Sequence, residues 1–247
     1  NRRNILIGEV WEDASNKVAY GVRKHYFNGS QLDSVMNYVY KNAIISFLRE
    51  NNVLHLRNAI RRILNNYPQD VVNKLMNVLD THDTARIINN FAYVLNPPKD
   101  KAAQYRMTEL EYQNALRKMK MAVILQFTLP GVPCIYYGDE VGLSGFDDPF
   151  CRRAFPWDNI NHELLTWYRQ LGKIRNDKVF VDGEYQEILA QNNIFIFARE
   201  KISKVIIIIN NSDEDYNYPI SGFDMLEEKY VDKANVSSQS GMIIKVK

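Results

Sequence analysis

Cysteine and histidine are scarce in this sequence, which has 2 cysteines and 4 histidines among 247 residues. Cys134 and Cys151 cannot form a disulfide scaffold, although a single disulfide between them stays open. Neither residue type occurs at the spacing of a zinc site, such as HExxH or a CxxC pair. We therefore predict no metal ligands and no cofactor in this segment.

The sequence also lacks a charge excess and a long apolar run. Its 31 basic and 29 acidic residues leave a net charge of +2, which gives no electrostatic reason to bind nucleic acid or an anionic membrane. No apolar run approaches the ~20 residues of a transmembrane helix. An initiator methionine and a signal peptide are absent, and Asn1 stands shortly before an apolar segment. We expect a fragment of a larger, cytoplasmic protein.

Apolar runs alternate with helical periodicity over the first 178 residues. The runs that predict buried strands are at residues 5–10, 32–36, 75–79 and 134–137. The segments whose apolar spacing predicts helices are at residues 40–48, 56–64, 107–127 and 164–174, and Asn161 stands in position to cap the last of them. Four strand-then-helix units imply a parallel sheet with helices packed outside it. This sheet is either an open doubly wound sheet or a barrel, and no GxGxxG follows the first strand to favour a nucleotide site.

The pattern changes after about residue 178, where helical spacing ends and short runs separated by turn residues begin. These runs are at residues 185–189, 194–198, 205–209 and 242–246. They predict an all-β module, an antiparallel sandwich. The predicted fold class is therefore α/β plus all-β, with domains at residues 1–178 and 179–247.

Polar residues follow every predicted strand of the first part. In a barrel, catalytic residues lie at the carboxyl ends of the strands. The residues at these ends are Glu9, Asn37, His82, Asp83, Asp139 and Glu140. The last two, which follow Gly138, are expected to make buried structural hydrogen bonds.

Glu9 is the first candidate for chemistry. It lies at the mouth of a buried strand close to Trp11, and partial desolvation there would raise the pKa of its carboxyl and suit a general acid. The alternative is a strand-end carboxylate held in an ion pair.

His82 and Asp83 form the second candidate pair, in which Asp83 could bind sugar hydroxyls or stabilise positive charge. The alternative is that Asp83 caps a helix that begins near Thr84. A charged loop follows the fourth strand and contains Asp147, Asp148, Arg152 and Arg153. It could also be a solvated loop with local ion pairs. The aromatic residues that could stack on a ligand, or pack in the core, are Trp11, Tyr38 and Trp157.

Four segments together are more specific than any of these residues. They occur in the order ILIGEVWEDA, LDSVMNY, LMNVLDTHDTARI and GVPCIYYGDEVGLSGFDDPFCRRAFPWD. This series resembles the second half of the α-amylase superfamily, glycoside hydrolase family 13, and within it the neopullulanase, cyclomaltodextrinase and maltogenic amylase subgroup. The resemblance implies strands five to eight of a TIM (β/α)8 barrel followed by a C-terminal β-sandwich.

The resemblance also implies roles for individual residues. Glu9 matches the general acid/base, and Asp83 matches the carboxylate that stabilises the transition state. His82 is similar to the histidine that contacts the sugar at the cleavage point, and Trp11 to an aromatic residue on the leaving-group side. Asp148 and Arg152 resemble a pair that binds the neighbouring glucose. Glu12 and Phe150 depart from the subgroup pattern, where His and an acidic residue are usual.

The activity implied is retaining hydrolysis of α-1,4, and within the subgroup also α-1,6, glucosidic bonds in maltooligosaccharides, cyclodextrins or pullulan. The alternatives are an α-amylase or α-glucosidase specificity and a non-catalytic glycan-binding scaffold. The family's nucleophilic Asp lies in a GxRxDxxxE segment that this sequence lacks, so we expect the chain alone to be inactive. We expect the chain to associate with a missing N-terminal half or with a second copy of itself. The resemblance also allows a Ca²⁺ site in the parent protein.

Overall fold

The computed structural model describes residues 4–246, in which helices and parallel strands come first and an antiparallel sheet follows. The strands of the first part are β1 (Ile7–Gly8), β2 (Val18–Ala19), β3 (Val22–Arg23), β4 (Ser34–Val35), β5 (Met76–Asn77) and β6 (Val132–Pro133). The α-helices are α1 (Tyr38–Glu50), α2 (Val53–Asn66), α3 (Gln69–Val72), α4 (Lys99–Gln104), α5 (Glu109–Thr128), α6 (His162–Arg175) and α7 (Val179–Asp182). Among residues 4–246, no helix is long and apolar enough to cross a bilayer.

Four of the short strands pair in parallel, as the alternating pattern predicts. Ile7 of β1 lies opposite Ser34 of β4, and Met76 of β5 lies opposite Val132 of β6. One parallel bridge between Met36 and Met76 connects the two pairs. The segments therefore neighbour one another in chain order, with α1, α2 and α3 in the connection from β4 to β5 and with α4 and α5 in the connection from β5 to β6. Strands β2 and β3 form a separate antiparallel hairpin.

The fourth predicted strand is wrong in position. Pairing takes place at β6, directly after Gly131, whereas residues 134–137 lie outside any strand. The Cys134 amide still donates to the Asn77 carbonyl at 2.9 Å. The parallel pairing does not continue beyond this hydrogen bond, because β5 itself ends at Asn77. An apolar run marks burial, and pairing also depends on the length of the neighbouring strand.

The helices begin and end where side chains satisfy their free backbone groups. Asn37 caps α1, since its Oδ1 accepts from the Tyr40 amide at 3.1 Å, and Asn161 caps α6 in the same way, as predicted from the sequence. Pro68 follows the end of α2 and cannot continue it. The helices bury their apolar stripes, including Phe47 of α1 and Ile60 of α2.

The second part is antiparallel, which confirms that aspect of the sequence prediction. Its strands are β7 (Glu184–Gln191), β8 (Ile194–Glu200), β9 (Lys204–Asn210), β10 (Tyr216–Tyr218), β11 (Gly222–Asp224), β12 (Lys229–Val231), β13 (Ala234–Val236) and β14 (Ser240–Lys245). Six of them form one sheet in the order β12-β11-β14-β9-β8-β7, and β10 pairs with β13 in a two-stranded sheet. The predicted boundary at residues 178/179 falls between α6 and α7.

The two faces of the six-stranded sheet are buried against different neighbours. On one face, Ile196, Ile206 and Ile208 pack in a cluster with Val236 of the two-stranded sheet. The opposite face, which includes Phe197, belongs to the main core together with the helices. This alternation follows the two-residue period of a strand.

A buried arginine links the sheet to the helices. Arg199 of β8 donates from Nη1 to the Thr128 carbonyl at 2.8 Å and from Nη2 to the Gly183 carbonyl at 2.9 Å. Burial, with the charge of Arg175 as a smaller cause, lowers the pKa of Arg199 to about 10, so its guanidinium stays charged at neutral pH. Its contacts fix the sheet against the end of α5.

Candidate functional site

Glu9 follows β1, and its carboxylate is held by a tyrosine. The Tyr38 hydroxyl donates to Glu9 Oε1 at 2.8 Å and lies 3.3 Å from Thr81 Oγ1. Burial raises the pKa of Tyr38 to about 12, with Glu9 contributing to the rise and Thr81 opposing it, so the phenol keeps the proton that it donates. Glu9 itself is exposed. The expectation that the Glu9 carboxyl is partly desolvated is therefore wrong.

Trp11 lies beside this pair and stacks on Tyr38. The ring centroids are 4.6 Å apart and the planes are 11° from parallel. Trp11 is 48% exposed, so part of its ring remains open to a ligand. Tyr38 is buried beneath it, so of its two alternatives, stacking on a ligand and packing in the core, the structure shows the second. Trp157 is exposed and contacts Phe155 instead.

Four other predicted residues come together in one ionic cluster. Arg152 donates from Nη2 to Asp83 Oδ1 at 3.0 Å, and its Nε lies 2.7 Å from Asp148 Oδ1 and 2.9 Å from the His82 carbonyl oxygen. His82 Nε2 lies 3.4 Å from Asp83 Oδ2. The loop after β6 thus meets the turn after β5, and one guanidinium orients both aspartates.

The helix-cap interpretation of Asp83 is wrong. The next helical residues are the 3₁₀ turn Ile87–Phe91, which has Arg86 at its cap position. The Asp83 carboxylate contacts Arg152 and His82 instead. Asp147 also contacts the turn that carries Asp83, because its Oδ1 accepts a hydrogen bond from the Ala85 amide at 2.7 Å.

Tyr38 connects the two groups of candidates. It contacts Glu9 directly, and Asp83 is close enough to influence its titration electrostatically. Sequence reasoning missed this positioning role. The available signal was that Asn37 and Tyr38 come at the end of a predicted strand, where the other candidates also lie.

The turn after β5 rests on a buried arginine that the sequence also did not reveal. Arg86 is 0% exposed and its Nη1 lies 3.1 Å from Asp139 Oδ1. Its Nε donates to the Cys151 carbonyl at 2.8 Å, and its guanidinium lies over the Tyr136 ring, 4.0 Å from the centroid. The expectation of a structural role for Asp139 is confirmed by this pair. Arg86 therefore joins the segment that carries Asp83 to the loop that carries Arg152.

Both cysteines are free, so the disulfide that the sequence left open does not form. Cys151 donates from Sγ to the His82 carbonyl at 3.0 Å and so packs beneath the ionic cluster. Within residues 4–246, no group of three or more His, Cys, Asp or Glu side chains is placed to hold a metal ion.

Two buried carboxyls, Asp80 and Asp139, share a hydrogen bond beside Arg86. Asp80 Oδ2 also accepts from the Ile87 amide at 2.6 Å. Burial raises the pKa of Asp80, and burial together with the charge of Asp80 raises that of Asp139 well above its usual value. Like charges this close cannot both ionise readily, so we infer that the pair retains a proton.

This shared proton predicts how the variant Asp80→Asn behaves. A carboxyl whose pKa is raised by folding contributes stability below its unfolded pKa and loses it as pH rises through the folded pKa. Asn at position 80 still accepts from the Ile87 amide and removes one of the two charges. We therefore expect the free energy of unfolding of Asp80→Asn, relative to that of the unmodified chain, to increase between pH 5 and pH 8.

Urea denaturation at several pH values measures this difference. Asp158→Asn is the matched control, because Asp158 is exposed, and its difference from the unmodified chain should stay within about 0.5 kcal/mol at every pH. If the difference in the free energy of unfolding between Asp80→Asn and the unmodified chain does not change with pH, the inference of a shared proton is wrong.

Comparison with known proteins places this geometry among carbohydrate-active enzymes. Residues 1–191 match the family model "Alpha amylase, catalytic domain". An amylopullulanase of Thermoanaerobacter thermohydrosulfuricus is 32% identical over 233 residues, covering 84% of this chain and 15% of its own length. A cyclomaltodextrinase of a Bacillus species is 32% identical over 216 residues, covering 85% of this chain and 33% of its own.

Solved structures give the same match over nearly the whole chain. A debranching enzyme of Nostoc punctiforme superimposes with a TM-score of 0.73 and 25% identity, covering 98% of this chain and 52% of that one. A cyclomaltodextrinase structure gives a TM-score of 0.76 at 25% identity and covers 97% of this chain and 40% of that one. The chain thus spans between 15% and 52% of the length of these relatives.

Proposed function

The chain belongs to the α-amylase family, and we propose that it supplies one part of an active site that hydrolyses α-glucosidic bonds with retention of configuration. The substrates are maltooligosaccharides, cyclodextrins or pullulan, with α-1,4 and α-1,6 bonds both accepted. The observation that carries this proposal is the meeting of Asp83, His82 and Arg152 at the strand ends, beside a Glu9 oriented by Tyr38. The names of the relatives, amylopullulanase and cyclomaltodextrinase, support this substrate class.

Glu9 acts as the general acid and then as the general base. It protonates the glycosidic oxygen as the bond from that oxygen to the sugar C1 breaks, and it later takes a proton from the water that attacks C1. The Tyr38 hydrogen bond fixes Oε1, which leaves Oε2 to carry the proton. Trp11, open on part of its ring, contacts the leaving-group sugar.

Asp83 and His82 hold the sugar whose bond is cleaved. Arg152 binds Oδ1 of Asp83, and the other oxygen lies toward His82, so the carboxylate and the imidazole form one polar surface. Carboxylates placed in this way stabilise the positive charge that develops on the sugar in the transition state. Asp148 and Arg152 bind the neighbouring glucose.

The nucleophile comes from a segment that this sequence does not contain. Retaining glycosidases need two carboxyls about 5–5.5 Å apart across the bond. Asp83 is engaged by Arg152 and serves the sugar instead. We infer that an aspartate of a preceding GxRxDxxxE segment attacks C1, forming a glycosyl-enzyme ester as the leaving oxygen takes the proton of Glu9.

The same preceding segment completes the parallel sheet as a barrel, of which this chain forms strands five to eight. The surface around the two outer strands supports this. Beside β1, Ile5 is 65% and Leu6 54% exposed, and in β6 Val132 is 49% exposed. Edge strands with exposed apolar side chains are usually covered by further pairing. A second copy of this chain would cover the same edges without supplying the nucleophile.

The reaction is tested with a protein in which this chain follows the first half of a cyclomaltodextrinase catalytic domain. Proton NMR of maltoheptaose hydrolysis should show the α-anomer of the product appearing first, and initial rates on cyclodextrin should exceed those on soluble starch. First appearance of the β-anomer would overturn the retaining mechanism. Faster hydrolysis of starch would instead assign an α-amylase specificity.

A further inference from the structure

A cavity of about 600 Å³ lies between the beginnings of α5 and α6 and the loop that follows β6, and its wall includes none of Glu9, Trp11, His82, Asp83, Asp148 and Arg152. Its wall includes the side chains Arg106, Tyr112, Ser144, Arg153, Asn159 and Asn161. We propose that this cavity binds a phosphate monoester, carried either by a free sugar phosphate or by a phosphorylated glucan chain. This site is separate from the proposed hydrolysis and does not depend on it.

Arg153 is the main reason for this assignment. Its guanidinium makes no hydrogen bond and no ion pair with any of residues 4–246, although it is half-buried. Its main-chain carbonyl is held, since Tyr137 Oη donates to it at 2.7 Å. The neighbouring Arg152, by contrast, is engaged by two aspartates. A half-buried cation without a counter-ion is unfavourable, and an anionic ligand would remove that cost.

Arg106 supplies a second cation to the same cavity. It donates from Nη1 to the Tyr105 carbonyl at 2.7 Å and has no carboxylate partner among the described residues. Burial, and then the charge of Arg106, lower the pKa of Arg153, which places the two guanidiniums within electrostatic reach of each other. Glu109 also lines the cavity, but its carboxylate accepts from Gln113 at 2.9 Å. The wall therefore carries two cations and one carboxylate.

The shape and the remaining groups indicate the class of ligand. Guanidiniums bind phosphate oxygens with paired hydrogen bonds, and two of them suit a dianion better than a carboxylate. Ser144 and Asn159 offer a hydroxyl and an amide to sugar hydroxyls, and the volume leaves room for a sugar ring beyond the phosphate. The helix amides take no part, because Asn161 already caps α6.

The experiment is calorimetric titration of the 247-residue chain with glucose 6-phosphate, inorganic phosphate and glucose. We expect saturable binding of glucose 6-phosphate, weaker binding of inorganic phosphate and none of glucose. Arg153→Gln should weaken the binding of glucose 6-phosphate about tenfold or more, as the loss of a charged hydrogen-bond pair would. The variant should fold, because this guanidinium holds no protein group.

Arg169→Gln is the matched control. Arg169 is exposed on α6 and does not line the cavity, so its removal changes the net charge equally and should leave the affinity within twofold. Equal weakening by the two variants, binding of glucose as tight as that of its phosphate, or no binding at all would overturn the proposal. Tighter binding of a phosphorylated maltooligosaccharide than of glucose 6-phosphate supports a glucan source, and equal binding supports a free sugar phosphate.

Discussion

Replacement of Glu9 by Gln is expected to lower the turnover of cyclodextrin by about 10²–10⁴-fold, which is the usual contribution of a general acid and base. Gln has the same shape and still accepts the Tyr38 hydrogen bond through its amide oxygen, so the fold and the position of the side chain are preserved. What it lacks is a proton to give to the glycosidic oxygen. The measurement is the initial rate of the protein that carries both halves of the catalytic domain, and the 247-residue chain alone should show no turnover.

The choice of substrate separates a loss of proton transfer from general damage. Fluoride leaves a glycosyl fluoride without being protonated, so the Glu9→Gln variant should form the glycosyl-enzyme from α-maltosyl fluoride at a nearly unchanged rate. Azide attacks without a general base and should restore turnover with the formation of a maltosyl azide. Both results follow only if Glu9 moves the proton.

Glu12→Gln is the control for this variant. Glu12 is exposed, three positions further along the chain, and pairs with Lys17. Its replacement should leave the rate within about threefold of the rate of the unmodified protein, since exposed ion pairs contribute only about 0–1 kcal/mol to stability. Retention of comparable activity by Glu9→Gln and Glu12→Gln would rule out the assigned role of Glu9.

Removal of the Arg86 side chain is expected to lower the free energy of unfolding by about 3–5 kcal/mol, the cost typical of breaking a buried ion pair from one side. Arg86→Ala leaves the Asp80 and Asp139 carboxyls without their nearest cation. It also removes the donors to the Cys151 and Tyr137 carbonyls. Urea denaturation followed by circular dichroism measures the change.

Arg61→Ala provides the comparison for Arg86. Arg61 of α2 forms an exposed ion pair with Glu187 through two hydrogen bonds. The loss of this pair should lower the free energy of unfolding by no more than about 1 kcal/mol. The double variant Arg86→Ala with Asp139→Asn should recover part of the stability, because it removes one of the two acidic groups that Arg86 faces. Similar losses for Arg86→Ala and Arg61→Ala would show that the buried cluster is not a major source of stability.

The sequence predicted those features that depend on neighbouring residues in the chain. The apolar periods located α1, α2, α5 and α6, and Asn161 was recognisable as a cap because the amide that it binds is only three positions away. The long runs of β8 and β9 were equally clear. Local pattern is sufficient in these cases because the partners are local.

Contacts between residues that are far apart in the chain could not be predicted in this way. Arg86 and Asp139 are 53 positions apart, and Arg152 and Asp83 are 69 positions apart, so nothing local indicates that they meet. The resemblance to a family gave Asp83 and Arg152 their roles in the candidate site, but it gave no indication of Arg86 or of the Tyr38 hydrogen bond. Glu9 was expected to be partly desolvated because an apolar run precedes it, whereas burial depends on what covers it.

The apolar face that the C-terminal sheet shares with the helices has a consequence for how this chain can be divided. Phe197 and Ile207 pack in the same core as Phe47, and Asn211 donates to the Phe47 carbonyl at 3.0 Å. Separation of the chain at residue 178 would expose this face on both products. We therefore expect the sheet to melt cooperatively with the helices that it covers, and we do not expect it to fold when it is moved alone into another enzyme.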